Sequence, residues 1–232
     1  PTNAIRGLLD MIASLAGRLQ PTELVACWDD DWRPDFRVAA IPSYKAHRLA
    51  DEATGAETVP PELEEQIPVI QRVLAALGIP TIGSPGFEAD DVIGTLAHAY
   101  RGRMPVSVVT GDRDLFQLVD DAMSIEVVYV ARGGVRAPDV VDESWLQRTY
   151  AIASGPAYAD FAVLRGDPSD GLPGVAGIGA KTGAALLAEF GSLAGLLDAL
   201  DAGDPRVAGA TRRRLTEARD YLAVAPRVVA VR

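Results

Sequence analysis

The segment VSVVTGDRDLFQLV, Val106 to Val119, holds a predicted strand, two carboxylates and a predicted helix within fourteen residues. Val106 to Thr110 predicts the strand, and the helix is expected to begin at Asp114. Asp112 and Asp114 directly follow the strand. Because ligands bind at the carboxyl ends of strands in open α/β sheets, these two acids mark the edge where a site is expected.

The same alternation of strands and helices extends on both sides of this segment. Further strands are predicted at 24–28, 79–82 and 125–130, and helices at 5–19, 62–77 and from residue 88. Residues 32–61 are polar and rich in proline, which predicts an insertion of weak or conditional order. The pattern is typical of an α/β fold, a mostly parallel sheet with helices on both faces.

Beyond Pro138 the pattern becomes mainly helical. Helices are predicted at 143–150, 159–164, 180–190, 192–200 and 211–222, and 227–231 is a candidate edge strand. We therefore expect an α/β domain over 1–138 and a mainly helical region over 139–232.

Composition excludes several classes of protein. The 232 residues are 48% hydrophobic, enough for a real core, and one cysteine excludes a disulfide framework or a thiolate zinc cluster. The longest charge-free run, 73–87, is too short and too broken by proline to cross a bilayer, so an intracellular protein is expected. The net charge of −10 argues against binding of nucleic acid only if the acidic residues are spread evenly over the surface. Acids gathered around metal ions would leave basic surface elsewhere.

Carboxylates from four segments are candidates for one site. They are Asp29 after the first strand, Glu88, Asp90 and Asp91 at a helix start, Asp112 and Asp114, and Asp167 and Asp170 in the loop RGDPSDGLPG. Two such charges about 4 Å apart repel by about 4 kcal/mol at an effective dielectric near 20, so a cation is expected among them. Oxygen donors without a histidine or cysteine cluster favour Mg²⁺ or Mn²⁺, and a set this large suits two ions. Such a pair can activate a water and stabilise the leaving oxygen of a phosphodiester. The competing interpretation of any single acid is an ordinary helix cap.

The glycine-rich segment GVAGIGAKT, Gly174 to Thr182, is not a Walker A loop. Ala180 separates its last glycine from the lysine, and no strand precedes it. A tight turn at Gly177 and Gly179 instead brings backbone N–H groups at a helix start close to a phosphate, with Lys181 adding a point charge. A plain helix–turn–helix corner without a ligand is the alternative interpretation.

Five motifs in series resemble one known family. WDDDWRPDFR with IPSYKAHR, GFEADDVIGTLA, TGDRDLFQLV, LRGDPSDGLPGVAGIGAKT and FGSL resemble the flap endonucleases, the bacterial 5′ nucleases that also form the N-terminal domain of DNA polymerase I. The resemblance implies a PIN-like nuclease domain, a helical arch within the insertion, and a helix-three-turn-helix over about 166–190 that grips duplex DNA and often holds K⁺.

The resemblance also implies roles for individual residues. Ligands of a first metal ion would be Asp29, Glu88, Asp90, Asp91 and Asp112, and those of a second ion Asp112, Asp114, Asp167 and Asp170. Lys45 and Arg48 take the arch positions that steer the scissile phosphate, with Tyr44 stacking or packing beside them. Gly177, Gly179 and Lys181 match the phosphate-gripping turn.

The expected function is a structure-specific 5′ nuclease with two divalent ions, acting on branched, gapped or 5′-flap DNA in replication and repair. RNA primers are a further candidate substrate, and a monomer in the bacterial cytoplasm, associated with the nucleoid, is expected. The family's first strand, with a further metal-binding aspartate, would lie upstream of Pro1, and no polymerase region follows, so the chain reads as a free-standing enzyme without that strand. Two alternatives stay open: a phosphatase-like hydrolase using Asp29 and Asp31, and a DNA-binding module with impaired catalysis.

Overall fold

A computed structural model describes residues 1–51, 53 and 55–231. Helix α1 (Asn3–Leu19) leads into strand β1 (Ala26–Cys27), which pairs in parallel with β4 (Thr81–Ile82). Strand β5 (Val106–Thr110) pairs in parallel with β6 (Ile125–Tyr129), and β7 (Asp139–Val141) lies antiparallel on the other side of β6. The expected α/β fold with mostly parallel strands is confirmed.

The strands do not form one continuous sheet among the described residues. β1–β4 and β5–β6–β7 are separate hydrogen-bonded ladders. Helix α5 (Ala89–Tyr100) packs against both β1 and β5 and therefore joins the two ladders. The acids at its N-terminus consequently lie between the carboxyl ends of two strands.

The insertion over 32–61 contains regular structure, so the expectation of weak order is wrong for its described residues. It holds helix α2 (Asp35–Ala40), a 3₁₀ turn (Ala46–Arg48), and a hairpin of β2 (Leu49–Asp51) and β3 (Ala56–Glu57). Contacts of α2 with the end of the last helix help to order this region.

The single helix expected over 62–77 is two helices, α3 (Pro61–Glu64) and α4 (Ile67–Ala76). Pro68 explains the break, because proline lacks an N–H group and fits the first turn of a helix better than its interior. Two short 3₁₀ segments, Asp114–Leu118 and Asp121–Met123, connect β5 to β6.

The second half of the chain is helical. Its helices are α6 (Glu143–Tyr150), α7 (Gly155–Arg165), α8 (Ala180–Phe190), α9 (Leu193–Asp201), α10 (Gly209–Glu217) and α11 (Arg219–Val229). The helix expected over 211–222 is therefore divided into α10 and α11. The candidate edge strand at 227–231 is wrong, because α11 continues through Pro226 to Val229.

The largest side chains of the core join the two halves. Phe116, from the 3₁₀ segment after β5, makes edge contacts with Tyr129, Trp145 and Tyr158, and is fully buried. Aromatic pairs of this kind add about 1 kcal/mol each beyond area burial. Packing of Phe116 in the core therefore fixes the segment that carries Asp112 and Asp114.

Within the described residues, no single helix combines the length and apolar content needed to cross a membrane. Helices α8 and α9 meet both requirements only when taken together, and they meet at a 77° bend.

Candidate active site

Acidic side chains from distant segments line one small cavity at the carboxyl ends of β1 and β5. Glu88, Asp90, Asp114 and Asp170 contribute to its walls. Asp29 belongs to the same edge, because its Oδ1 accepts a 2.7 Å hydrogen bond from the backbone N–H of Ala89 at the start of α5. The fold therefore brings the strand ends, the N-terminus of α5 and the loop after α7 to one place.

The carboxylates repel one another. Burial, followed by the charges of Asp112 and Glu88, raises the pKa of Asp90 to about 7. Burial, followed by Asp112 and Asp170, raises the pKa of Asp114 well above its usual range. Charged groups that shift each other in this way lie close together, and their negative charge is not fully compensated by the protein.

The donor chemistry fits hard divalent cations. Its candidate ligands are carboxylate oxygens, which Mg²⁺ and Mn²⁺ prefer. Burial and neighbouring carboxylates raise the pKa of Asp90, and a nearby cation would lower it again. Among the described residues, however, no three His, Cys, Asp or Glu side chains already stand close enough together to chelate an ion. Binding therefore requires side-chain adjustment within the cavity.

Two cations of the insertion lie among these acids. The Lys45 ammonium contacts Glu88 Oε1, and the Arg48 guanidinium donates to Asp170 Oδ1 at 3.0 Å. Burial alone would lower the pKa of Lys45, but the charges of Glu88 and Asp170 outweigh it and raise that pKa, so the ammonium stays charged. Tyr44 is buried and donates its hydroxyl to Glu88 Oε2 at 2.7 Å, so it packs beside the lysine.

Backbone contacts hold this part of the insertion on the loop after α7. The Lys45 N–H donates to Asp170 O at 3.0 Å, and the Ser43 hydroxyl donates to Gly171 O at 2.9 Å. A Cβ at position 171 would lie 2.2 Å from Ser43 O, so only glycine permits this approach. Lys45 has a φ of 48°, a left-handed conformation that costs a non-glycine residue about 1–2 kcal/mol.

Asp167 is held mainly by its own loop and by two arginines. Its Oδ1 accepts a 2.9 Å hydrogen bond from the Ser169 N–H, while Arg165 and Arg113 lie 3.3 Å and 3.5 Å from Oδ2. Arg113 follows Asp112 directly, and its role beside Asp167 was missed by sequence reasoning. In the motif TGDRDL the arginine stands between two aspartates, and the sequence gives no sign that it pairs with an acid of another segment.

Arg37 is the second residue that sequence reasoning missed. It lies on α2, is 2% exposed, and contacts Glu88 and Asp91 of α5 as well as carbonyl groups at the end of α11. No periodicity distinguishes it from the other arginines in this arginine-rich chain. Only the tertiary fold, which brings α2, α5 and α11 together, shows that this guanidinium is buried.

The predicted phosphate-gripping turn lies between α7 and α8 and contributes no residue to the lining of the acidic cavity. Gly177 has a φ of 77°, and Gly179 is the N-cap residue of α8. Buried Ile178 anchors the turn, whereas both glycines and Lys181 are exposed. The first N–H groups of α8 have no acceptor within the helix, so this surface suits an anion.

The three consecutive arginines in α10, at 212–214, have different surroundings. Arg212 donates to backbone carbonyls of Val207 and Asp204 and is structural, while only Arg213 forms an exposed i,i+4 pair, with Glu217. Arg214 instead reaches the glycine turn and donates to Gly177 O at 3.1 Å.

The fold and the placement of the acids define an α/β nuclease-type domain followed by a helical domain. Residues 1–151 match the model for the 5′-3′ exonuclease N-terminal resolvase-like domain, and residues 154–232 match the model for the 5′-3′ exonuclease C-terminal SAM fold. The chain therefore belongs to the 5′-3′ exonuclease family, as its motifs predict.

Curated relatives agree with this assignment. A 5′-3′ exonuclease of Streptomyces coelicolor is 56% identical over 100% of this chain and 76% of its own length. A 5′-3′ exonuclease of Mycobacterium tuberculosis is 49% identical over 100% of the chain and 74% of its own length. DNA polymerase I of Mycobacterium bovis is 41% identical over 92% of the chain but only 22% of the polymerase, so the likeness is to one part of that enzyme.

Solved structures agree on the fold. The T5 D15 protein co-crystallised with metal ions has a TM-score of 0.73 at 20% identity, covering 99% of this chain and 81% of that protein. The bacteriophage T5 D15 flap endonuclease in complex with DNA and metal ions has a TM-score of 0.72 at 22% identity, covering 97% and 79%. The PIN-like architecture expected from the motifs is confirmed.

Proposed function

We propose that this chain is a divalent-cation-dependent, structure-specific 5′ nuclease that hydrolyses phosphodiesters of branched, gapped or 5′-flap DNA in replication and repair. Membership of the 5′-3′ exonuclease family and the likeness to part of DNA polymerase I support the reaction class. Action as a monomer in the bacterial cytoplasm at the nucleoid, and RNA primers as a further substrate, belong to the same proposal.

One observation carries the proposal. Carboxylates from three segments of the chain line a small cavity, and Asp29 from a fourth is hydrogen-bonded beside it; burial and mutual repulsion raise the pKa values of Asp90 and Asp114. A protein that keeps such unfavourable charge in place needs it for a ligand, and a divalent cation is the ligand that relieves it.

The residues that would hold the ions follow from this arrangement. Asp29, Asp90 and Asp112 would serve one ion, and Asp112, Asp114 and Asp170 the other, with Glu88 and Asp167 at their edges. When bound, such ions would activate a water and stabilise the leaving oxygen of the phosphodiester. Coordination of an ion by Asp91 has only the family resemblance behind it, and K⁺ at the glycine turn stays a prediction from that resemblance.

Lys45 and Arg48 would bind and orient the scissile phosphate. In this structure they neutralise Glu88 and Asp170, the acids nearest the insertion. A phosphate entering the cavity offers each cation a new partner at the same place, so a short movement of both side chains suffices. The left-handed backbone at Lys45 holds its ammonium toward the acids.

The glycine turn would grip duplex DNA at a distance from the cut. Its exposed N–H groups, Lys181 and the neighbouring Arg214 offer contacts to phosphates and none to base edges. Binding through such contacts weakens with salt and is insensitive to sequence. Substrate choice would therefore depend on where a duplex ends or branches.

The phosphatase-like alternative has less support. It needs Asp29 and Asp31 as nucleophile and acid, but Asp29 accepts from the Ala89 N–H and Asp31 from the Arg33 N–H at 3.1 Å. It also leaves Asp112, Asp114 and Asp170 without a role. The alternative of an impaired DNA-binding module is decided by the cleavage assay itself.

The test is cleavage of a 5′-labelled flap duplex, with single-stranded and blunt duplex DNA of the same sequence as controls. With Mg²⁺ or Mn²⁺ we expect cuts near the flap junction, faster than on either control, and no cuts in EDTA. Cleavage that persists in EDTA would contradict the cation requirement, and folded protein that cuts no substrate with either metal would leave only the DNA-binding module.

A further inference from the structure

We infer that Arg37 is a positioning residue for the active site, and that Asp91 serves as its anchor and not as a cation ligand. The inference rests on the proposed nuclease function and assigns a new role to each residue. It follows from the hydrogen bonds of one buried guanidinium.

Every N–H donor of the Arg37 side chain has an acceptor. Nη1 donates to Glu88 Oε2 at 2.5 Å and to Asp91 Oδ2 at 2.7 Å, and Nη2 donates to Asp91 Oδ1 at 2.7 Å. Nε donates to Val228 O at 3.0 Å, and Nη2 also donates to Ala230 O at 3.3 Å. A guanidinium has five such donors, so the side chain is saturated.

The two acids that contact Arg37 are used differently. Asp91 is 2% exposed and presents both carboxylate oxygens to the guanidinium in a two-pronged pair, while its Oδ2 also accepts from the Glu88 N–H at 3.3 Å as part of a capping box. Its oxygens therefore point at α2 and at its own helix start. Asp90, the neighbouring residue, lines the acidic cavity instead.

Glu88 connects Arg37 to the cations of the insertion. Its Oε2 accepts from both Arg37 and the Tyr44 hydroxyl, and its Oε1 contacts the Lys45 ammonium. Arg37 thus fixes the Glu88 carboxylate that pairs with Lys45. A change at Arg37 is therefore expected to alter the position of Lys45 through Glu88.

The same guanidinium also ties the end of the chain to the site. The carbonyls of Val228 and Ala230 lie where α11 ends, and terminal carbonyls of a helix lack partners within the helix. Gln117 holds the neighbouring residues by donating to Val229 O at 3.0 Å and accepting from the Val231 N–H at 3.1 Å. Arg37 therefore joins α2, α5 and α11 at one point.

The anchor role is tested by Mn²⁺ binding, measured from the electron paramagnetic resonance signal of free Mn²⁺. Asp91→Asn and Asp90→Asn are matched variants, because each replaces one carboxylate by an amide of the same shape on adjacent residues. We expect Asp91→Asn to bind Mn²⁺ within threefold of wild type and to melt at a lower temperature, and Asp90→Asn to lose affinity at least tenfold. Equal losses of affinity in folded variants would overturn the inference.

The positioning role is tested by a double-mutant cycle on single-turnover cleavage with Arg37→Lys, Lys45→Ala and the pair. Lysine keeps the charge and loses the two-pronged geometry. We expect Arg37→Lys to slow the cleavage step with unchanged KM, and the pair to be no slower than Lys45→Ala alone. Rates that multiply independently would make Arg37 merely structural and overturn its role.

If Asp91→Asn does not fold, the double-mutant cycle decides alone, because Arg37→Lys keeps one positive charge beside both carboxylates. Failure of wild-type protein to bind Mn²⁺ or to cleave would instead count against the proposed function. The two failures are thus distinguishable.

Discussion

The acid cluster and the glycine turn are both proposed to handle phosphate, but they are built in opposite ways. In the cluster, buried side chains such as Glu88 and Lys45 contact one another. The cluster as a whole contains more carboxylates than cations. At the turn, Gly177 and Gly179 are exposed and offer backbone N–H groups with little side-chain structure. Phosphate binding in the acid cluster would therefore depend on how its charges are balanced, whereas phosphate binding at the turn would depend on the shape of the backbone.

This difference predicts which changes affect which step. Substitutions in the cluster should alter chemistry and metal affinity, because its groups are desolvated and interact strongly. Substitutions at the turn should alter affinity for duplex DNA, because its contacts reach phosphates far from the cavity.

Asp112→Asn should reduce cleavage by about 10³-fold or more while duplex binding stays unchanged. The charge of Asp112 raises the pKa of both Asp90 and Asp114, so we expect Asp112 to serve both ions. Losing an ion removes several kcal/mol of transition-state stabilisation. Single-turnover rates on a flap duplex and fluorescence anisotropy measure the two quantities, and near-normal turnover would refute the ligand role.

Lys45→Ala and Lys181→Ala should separate the two regions directly. Loss of the buried Lys45 should lower the maximal cleavage rate by about 10²-fold with little change in DNA affinity. Loss of the exposed Lys181 should weaken DNA binding and reduce its salt dependence, with the maximal rate kept. Rates measured at saturating and subsaturating DNA provide the comparison. The same pattern in both variants would show that the separation is wrong.

Stability of the metal-free protein should depend on pH through Asp90. Because the fold raises its pKa from 3.8 to about 7, the folded chain keeps a proton that the unfolded chain has lost. The free energy of unfolding should therefore fall as pH rises from about 4 through 7, by about 2–4 kcal/mol. Urea unfolding in EDTA at several pH values measures this.

Asp90→Asn should reduce that slope and leave the part due to other buried acids such as Asp114, whereas Asp10→Asn, at an exposed pair with Arg6, should leave the slope unchanged. An undiminished slope in Asp90→Asn would assign the whole effect to other groups.

Gly177→Ala should weaken duplex binding about fivefold and leave the cleavage rate of bound substrate unchanged. A Cβ at position 177 would lie 2.7 Å from Arg214 Nε, so alanine displaces that guanidinium from the turn. Gly191→Ala is the matched control, because Gly191 also has a positive φ, 80°, with no atom near its absent Cβ. Arg214→Ala should reproduce the effect and Arg213→Ala should not. Equal weakening by Gly191→Ala would indicate helix strain instead of a lost contact.

Much of the fold could be predicted because its signals are local. The strand Val106–Thr110 and the helices Glu143–Tyr150 and Ala180–Phe190 occur at the residues that periodicity predicts. The hairpin of β2 and β3 was missed, because its short strands lie in a polar, proline-rich segment without the alternating pattern of a strand.

The candidate site, like the fold, could be predicted only where its signals are local in the sequence. Acids after predicted strands were visible in the sequence because position alone marks them. The roles of Arg37 and Arg214 were not visible, since each depends on a partner more than thirty residues away. Pairing of such distant groups is a property of the tertiary fold and leaves no local pattern.

The most direct test of the central claim is a titration of metal-free protein with Mn²⁺ at neutral pH, with free Mn²⁺ followed by electron paramagnetic resonance. We expect two ions bound per wild-type chain and loss of at least one in Asp112→Asn. Folded wild-type protein that binds no Mn²⁺, or an Asp112→Asn variant that binds as wild type does, would contradict it.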